Sequence, residues 1–350
     1  MGGMKINYIT FGSLHRDERG QVTSSMASAR YRILLPAREI GRLGHEVNIH
    51  ATDESFWREQ RYRQLEGDVT VFCKSFDTRN ETLARALQQA GQTVALDICD
   101  NHFEHPVHGA HFRRMVEIAD CIVASTVKMA EIIHDRTGRR ALVIGDPVEG
   151  VRGTARFNPD RRPLRALWFG HPLNLDSLFA GLPDLASACA RCPMELAIVT
   201  AIIPGLREQV LEWNSSHSSL QLFLAPWSPE TAVVCLRECD VVLIPSLSDN
   251  TKIVKSPNRL LEGIWAGRPV LAYPLPSYTE FQDYAILHTH LGSALEQLLR
   301  SPEAMTQKIQ RGQDYIARHY LPEHMAARWL AVLNHTAPVP EMMAASAAQA

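Results

Sequence analysis

Short apolar runs alternate with helical patterns through the first half of the chain, and this alternation constrains the fold more than any other feature. Strand-forming runs separated by helical segments are typical of βαβ units, in which the strands are parallel and helices cover the sheet. The sequence therefore predicts a doubly wound parallel sheet over residues 1–150. Its predicted strands are Lys5–Phe11, Val47–His50, Asp68–Cys73, Thr93–Ile98, Cys121–Ala124 and Ala141–Ile144.

A second series of the same kind follows a polar segment. Residues 151–163 are rich in Gly, Pro and Arg and lack periodicity, so we interpret them as an interdomain linker. The chain is thus predicted to form two Rossmann-like α/β domains that face a cleft, the second over residues 164–321. Ligands of such sheets bind beyond the carboxyl ends of the strands. The strands predicted here are Leu164–Phe169, Met194–Thr200, Leu220–Leu224, Val241–Pro245 and Pro269–Tyr273.

Composition narrows the class of protein. At 350 residues, the chain is long enough for two domains, and 45% apolar with 21% charged residues is typical of a globular protein. A formal net charge of −2 gives no reason to expect a nucleic-acid partner. The odd cysteine count of 7 favours reduced thiols. We therefore expect a cytoplasmic protein, with peripheral contact at the inner face of the membrane as an alternative, and a disordered tail over residues 335–350.

The segment from Thr251 to Phe281 carries the strongest functional signal. Ser256 is predicted to cap a helix whose first residue is Pro257, so that free backbone N–H groups point toward a ligand. Lys255 lies just outside this helix end and Arg259 one turn inside it. Helix dipole, free donors and two cations together favour phosphate, although a purely structural helix could carry the same cap.

The same helix has a polar face and an apolar face. Asn258 and Glu262 are four residues apart and share the polar face. Gly267 is placed for a left-handed C-cap. The polar face can therefore meet a ligand while the other packs, and the predicted apolar stripe consists of Leu260, Leu261, Ile264 and Trp265.

The pattern K-S-x-N-R-L-L-E-x-x-x-A-G-x-P-V, preceded by CDVVLIP and followed by P-x-P-S-Y, resembles the donor site of GT-B glycosyltransferases, especially the retaining enzymes of glycosyltransferase family 4. Further pieces, such as RYRILLPAREIGRLGHEV and LRALWFGHPLNLDSL, occur in the family's order. The resemblance implies that Glu262 holds the ribose hydroxyls of a nucleotide-sugar and that Lys255 and Ser256 lie against its phosphates. It also implies that a last helix, residues 322–334, crosses back to the first domain.

The chain departs from the family pattern at two places. Val254 stands where many members carry a second acid, eight residues before the ribose acid. The loop after the first strand of the second domain, which often carries an Arg and a Lys, is here Gly170-His171-Pro172-Leu173-Asn174. We expect Gly170, His171 and Trp227, all at strand ends, to line the donor site. The backbone near Trp227 should contact the nucleotide base.

Candidate acceptor groups follow the strand Thr93–Ile98. By the resemblance, this loop approaches the acceptor, so Asp100 and His102 are candidates for proton handling or contact with sugar hydroxyls. The spacing of His residues in NHFEHPVHGAH also permits a metal interpretation, but Pro106 prevents one helix from aligning them. We therefore expect no metal here.

Two basic segments leave alternatives open. Arg30 and Arg32, at the start of the first helix, either form a solvated helix end or hold an anionic acceptor or donor phosphate. The segment FWREQRYR, residues 56–63, either packs its aromatic rings beneath a solvated Arg fringe or meets a membrane or carbohydrate.

Missing motifs sharpen the prediction. The sequence lacks a D-x-D at a strand end, a P-loop and a G-x-G-x-x-G after the first strand. We expect a retaining, metal-independent glycosyltransferase without a cofactor beyond its nucleotide-sugar co-substrate, acting on a saccharide, lipid-linked or small-molecule acceptor, with Lys255, Asp100 and His102 as catalytic candidates. The alternatives are a CMP-sugar transferase, a nucleotide-sugar epimerase and a non-catalytic nucleotide-sugar binding protein.

Overall fold

The chain forms two compact units. The computed structural model describes residues 3–11, 14–16 and 20–334, so the predicted disordered tail lies outside the described residues. Unit 1 comprises the described residues of Met1–Pro147, Val254–Ser256 and Tyr320–Ala350. Unit 2 comprises Val148–Ile253 and Pro257–His319. The short segment that contains Lys255 therefore belongs to unit 1, although the helix after it belongs to unit 2.

Unit 1 is built on a six-stranded sheet in the order β4-β1-β5-β6-β7-β8, and every neighbouring pair in it is parallel. Its strands are β1 (Lys5–Thr10), β4 (Glu46–Ala51), β5 (Val69–Cys73), β6 (Thr93–Ile98), β7 (Cys121–Ala124) and β8 (Leu142–Val143). A small antiparallel hairpin joins β2 (His15–Arg16) to β3 (Val22–Thr23). The helices are α1 (Ala27–Ala29), α2 (Leu35–Arg42), α3 (Glu54–Arg58), α4 (Arg79–Gln89), α5 (Gly109–Ile118), α6 (Val127–Thr137) and, at the far end of the chain, α13 (Pro322–Leu333).

The strand order reverses direction between β1 and β5. The chain runs outward from β1 to β4 on one side and from β5 to β8 on the other, so β1 and β5 flank a topological switch point. Ligands of doubly wound sheets bind outside the carboxyl ends of the strands at such a point. In unit 1, this places the loops after β1 and β5 at the expected binding edge.

The first helix is interrupted near its start. A π-helical turn, Arg30–Leu34, joins α1 to α2. π-Helical turns inside α-helices are rare and frequently occur at functional sites. Here the turn places consecutive side chains from Arg30 to Leu34 in the interior.

Unit 2 repeats the design with a sheet of order β11-β10-β9-β12-β13-β14, again parallel throughout. Its strands are β9 (Leu164–Phe169), β10 (Met194–Thr200), β11 (Leu220–Pro226), β12 (Val241–Ile244), β13 (Val270–Ala272) and β14 (Ile286–Leu287). The helices are α7 (Leu175–Cys189), α8 (Leu206–Ser216), α9 (Pro229–Glu238), α10 (Asn258–Trp265), α11 (Leu291–Arg300) and α12 (Glu303–His319). This is the Rossmann strand order, with its switch point between β9 and β12.

The predicted fold class is confirmed. Predicted and observed bounds agree for β6, β7, β9 and β10, and differ by one or two residues for most other strands. The core of unit 2 is an apolar layer of β9, β10 and β12 covered by α7 and α11. The sequence patterns missed the hairpin β2–β3 and the edge strand β14, whose strands are two residues long. The equally short β8 was found because it lies within the apolar run Ala141–Ile144.

Candidate functional site

Three strand ends in unit 2 are tied together by hydrogen bonds. The hydroxyl of Thr200, the last residue of β10, donates to the Gly170 carbonyl at 2.8 Å. The backbone N–H of Trp227, just after β11, donates to the Thr200 carbonyl at 3.0 Å. Gly170 and Trp227 are therefore both held at the carboxyl edge of this sheet, as the strand pattern predicts.

Arg259 reaches the same edge from α10. Its Nη1 donates to the carbonyl of Phe169, the last residue of β9, at 3.3 Å. A β-carbon at position 170 would lie 3.2 Å from that nitrogen, so the absence of a side chain at Gly170 leaves room for the guanidinium. Arg259 also acts on Tyr278: burial raises the pKa of the buried Tyr278 hydroxyl, and the charge and hydrogen bond of Arg259 oppose the rise.

The predicted cap of α10 is wrong in detail. The helix begins at Asn258, its N-cap is Pro257, and no side chain caps it. Ser256 lies one residue farther out, in the segment that belongs to unit 1. Because Pro has no N–H and the helix starts one residue late, the first free donors belong to Asn258 and Arg259.

The two faces of α10 are as predicted. Leu260, Leu261 and Ile264 are fully buried, and Trp265 is 8% exposed. Asn258 and Glu262 are half-buried on the other face. The Oδ1 atom of Asn258 is buried and meets no hydrogen-bond partner in the described part of the chain, and a buried polar atom of this kind is a candidate ligand contact.

His171 starts the turn between β9 and α7. Its Nδ1 accepts a hydrogen bond from the Leu173 N–H at 3.2 Å and so caps a short 3₁₀ turn, Pro172–Asn174. The residue is exposed. This hydrogen bond fixes the orientation of the imidazole ring. The residue lies just after the end of β9, as predicted.

In unit 1, the candidate acceptor residue Asp100 lies between two lysines. Lys255 Nζ is 2.6 Å from Asp100 Oδ1, and Lys74 Nζ is 2.7 Å from Oδ2. Burial by itself would raise the pKa of Asp100, but the two ammonium groups outweigh it and hold the pKa well below its usual range. Asp100 is therefore an anion near neutral pH.

His102 stands close to this carboxylate and is neutral. Burial lowers its pKa to about 4; Asp100 opposes the shift, and Lys74 adds to it. Its ring packs edge-on against Phe76 with the ring centroids 5.0 Å apart. Its Nε2 is buried and meets no hydrogen-bond partner among the described residues. A neutral imidazole with one unengaged nitrogen can accept a proton or a hydroxyl hydrogen bond.

The histidine cluster gives no metal site. Among the described residues, no group of three or more His, Cys, Asp or Glu side chains could hold a metal ion. His105 and His108 pair with each other at a ring distance of 4.7 Å. His111 is directed inward to Ser75 and Glu81.

Arg32 is buried in unit 1. Its side chain is 1% exposed, and Nε and Nη2 donate to Asp97 at 3.0 and 2.6 Å. Nη1 donates to Asp146 at 2.9 Å. In the structure, the guanidinium of Arg32 is thus paired with two buried carboxylates of unit 1. Arg30 is also buried and donates to the Ser24 carbonyl, so a solvated helix end is wrong for both residues.

The aromatic segment Phe56–Arg63 packs onto unit 1. Phe56 is fully buried, and the ring centroids of Trp57 and Tyr62 lie 5.6 Å apart. Arg79 lies over the Trp57 ring at 4.7 Å. The aromatic rings of this segment are therefore packed beneath charged side chains. Among the described residues, no helix has the length and apolar character to cross a membrane.

Two lysines that form close ion pairs were not among the predicted site residues. Lys74 directly follows β5, so the rule that functional residues gather at strand ends could have found it. Lys252 is 6% exposed, and its ammonium contacts both oxygens of Asp176 and the Ser177 hydroxyl, each at 2.7 Å. This contact ties the loop after β12 to the start of α7, and nothing in the local sequence signals it. All seven cysteines are free thiols, as expected.

No family model and no curated protein matches the sequence. Solved structures similar to the chain are GT-B glycosyltransferases. Anabaena HepE in complex with UDP is 12% identical, with a TM-score of 0.63 over 95% of this chain and 100% of that chain. The lipopolysaccharide outer core galactosyltransferase WaaB is 12% identical, with a TM-score of 0.61 over 95% and 100%. A trehalose-6-phosphate structure from E. coli, bound with UDP-2-fluoro glucose, is 11% identical, with a TM-score of 0.61 over 95% and 93%. At these identities, the likeness shows the GT-B fold.

Proposed function

We propose that the protein is a glycosyltransferase that moves a sugar from a nucleotide-activated donor to a saccharide, lipid-linked or small-molecule acceptor. The observation that carries the proposal lies in unit 2. At the switch point between β9 and β12, the Gly170 turn meets Arg259 of α10, the helix that also bears Asn258 and Glu262. The likeness to solved structures that hold UDP or a UDP-sugar supports it.

Each donor group has a residue of matching chemistry. The carboxylate of Glu262 can accept a hydrogen bond from both ribose hydroxyls. Arg259, Ser256 and Lys255 bind the phosphates, and the backbone at Trp227 meets the base. Gly170 and His171 form the turn that the phosphates approach, since a residue without a β-carbon admits them closely.

Catalysis in this proposal is mainly electrostatic. Breaking the bond between the anomeric carbon and the phosphate builds negative charge on the leaving group, which Arg259 and Lys255 stabilise without a metal ion. As the acceptor oxygen bonds to the anomeric carbon, neutral His102 accepts the proton of that hydroxyl. The negative charge of Asp100 then stabilises the imidazolium that forms. We propose that the anomeric configuration is retained, as the resemblance to family 4 implies.

Calorimetry with uridine, UMP, UDP and the matching cytidine nucleotides tests the donor site. We expect UDP to bind. The Glu262→Ala substitution should lower the affinity for UDP by about tenfold or more, because each charge-assisted hydrogen bond is worth roughly 1.5–3 kcal/mol. Glu208→Ala, an exposed acid on α8, is the matched control and leaves the affinity unchanged. Unchanged UDP affinity in Glu262→Ala would contradict the assignment, and preference for CMP would favour a CMP-sugar transferase.

One observation favours a second candidate, a nucleotide-sugar binding protein without turnover. Val254, at the position of the family's second acid, is fully buried, and its carbonyl accepts a hydrogen bond from the Thr126 hydroxyl at 3.1 Å. Incubation with a panel of UDP-sugars and acceptors, followed by product analysis, separates the two. Donor binding without product or donor hydrolysis would favour the binding protein, and a change of the donor sugar itself would favour an epimerase.

A further inference from the structure

Lys74 and Lys255 share a single carboxylate. Each ammonium takes a different oxygen of Asp100, with N–O distances of 2.7 and 2.6 Å. We propose that Lys74 is a positioning residue that holds Asp100 in place and thereby sets how readily Lys255 leaves Asp100 for a donor phosphate. This inference rests on the proposed function, since it requires a nucleotide phosphate that binds Lys255.

The backbone holds Lys74 in an unusual conformation. Its φ is +51°, in the left-handed region that residues other than Gly rarely adopt. Such a conformation costs about 1–3 kcal/mol and persists where the surroundings enforce it, frequently at functional sites. Lys74 follows β5 directly, beside the switch point of the first sheet. The strained turn therefore places its ammonium at the edge where ligands are expected.

The next residue anchors this turn in the interior. The Ser75 hydroxyl is 3.1 Å from His111 Nε2 and accepts a hydrogen bond from Asn80 Nδ2 at 2.8 Å. His111 Nδ1 lies 2.6 Å from Glu81. Ser75, Asn80 and His111 are all buried. The β5 turn is thus locked to α4 and α5, which explains how it can hold a strained backbone.

The two lysines differ in how firmly they are held. The Lys74 side chain is 23% exposed and projects from the locked turn, whereas the Lys255 side chain is 43% exposed and lies in a segment outside any helix or strand. Asp100 itself is 17% exposed. Lys74 is therefore the fixed partner of Asp100, and Lys255 is the partner that can exchange it for a phosphate.

Electrostatics then links the three residues to nucleotide affinity. A carboxylate shared by two cations holds each one less tightly than it would hold one alone, because each cation already neutralises part of its charge. Without Lys74, Asp100 should retain Lys255 more strongly and compete better with phosphate. Without the charge on Asp100, the ion pair that competes with phosphate for Lys255 is lost.

Calorimetry of UDP and uridine on single and combined variants tests this linkage. We expect Asp100→Asn to tighten UDP by about fivefold and Lys74→Met to weaken it by a similar factor, with uridine unaffected, because uridine has no phosphate. In an Asp100→Asn background, Lys74→Met should have little effect. In a Lys255→Met background, both effects should disappear.

Three controls separate the ammonium from the fold. Lys74→Gly removes the amine but relieves the positive φ, so it should weaken UDP as Lys74→Met does. Lys74→Arg keeps the positive charge and should bind UDP with about the affinity of the unmodified protein. Lys128→Met removes a half-exposed lysine elsewhere in unit 1 and should change nothing.

The outcomes are distinct. Failure of UDP to bind the unmodified protein would overturn the proposed function, and this inference with it. UDP binding that does not respond to Asp100→Asn would overturn the inference alone. If Lys74→Met weakens UDP equally in the Asp100→Asn background, Lys74 acts directly on the phosphate and the proposed positioning role is wrong.

Discussion

Gly170 and Arg259 lie against each other at the carboxyl edge of the second sheet. A β-carbon at position 170 would lie 3.2 Å from Nη1 of Arg259, the nitrogen that donates to the Phe169 carbonyl at 3.3 Å. A residue without a side chain at the end of β9 therefore lets a cation from α10 reach the proposed phosphate site.

Gly170→Ala should displace Arg259 and weaken UDP roughly threefold to tenfold, a loss of up to about 1.4 kcal/mol. The melting temperature should change little, because the flexible end of the Arg259 side chain can move aside. Calorimetry and thermal melting measure the two effects. Gly41→Ala, where nothing lies within 4 Å of the added carbon, is the control and should leave UDP affinity intact. Equal UDP affinity in both variants would contradict the placement of Arg259 at the phosphates.

Arg32→Met should destabilise unit 1 by about 3–5 kcal/mol, since it leaves the buried carboxylates of Asp97 and Asp146 without their cation. Chemical denaturation followed by circular dichroism measures the free energy of unfolding. Arg42→Met removes a 67% exposed arginine that pairs with Glu39 and should cost no more than about 1 kcal/mol. Similar losses in the two variants would show that the buried cluster contributes no more than a surface pair.

His102 should titrate with a pKa of about 4 in the folded protein, below its usual value of 6.5, mainly because of burial. Between these two pH values, the unfolded chain binds a proton at His102 that the folded chain does not. The contribution of His102 to stability is therefore complete above about pH 6.5 and is lost as the pH falls toward 4.

NMR titration of the His102 ring and thermal melts across this range check the prediction. His102→Gln should lose less stability than the unmodified protein when the pH falls from 7 to 4.5. A His102 pKa at or above 6.5 would contradict the role of a neutral imidazole in the proposed reaction.

Activity, once a donor and acceptor are identified, should survive chelation with EDTA. The physical reason is that Arg259 and Lys255 can neutralise the leaving phosphate. Turnover rates before and after exhaustive chelation provide the measurement, with re-addition of Mg²⁺ or Mn²⁺ as the control. Turnover that disappears with EDTA and returns with a divalent ion would show that a metal neutralises the phosphate.

Much of the fold could be predicted because its signals are local. Each strand of the two sheets is a short apolar run, and the stripe of α10 is a regular spacing of Leu260, Leu261 and Ile264 along one helix. The start of α10 was predicted one residue early, since the choice of Ser256 or Pro257 as N-cap depends on contacts around the helix end and not on residue type alone.

The candidate site could be predicted only where a residue's neighbours in sequence define its surroundings. Arg30 and Arg32 looked like a charged helix start, yet a π-helical turn directs them inward. The cation that stabilises Asp97 and Asp146 is thus Arg32, more than sixty positions away along the chain. Burial of this kind depends on the whole sheet, so it leaves no mark in the local pattern.

The sequence by itself determined the class of fold, the order of the strands along the chain and the residue types available at each strand end, since hydrophobic periodicity and helix signals act over a few neighbouring residues. The tertiary structure alone decided that Lys74 and Lys255 share Asp100 and that Arg259 reaches the Gly170 turn. The reason is physical: a charge pair depends on the distance between two atoms in space. The ammonium groups of Lys74 and Lys255 come within 3 Å of the Asp100 carboxylate only when these distant segments fold together.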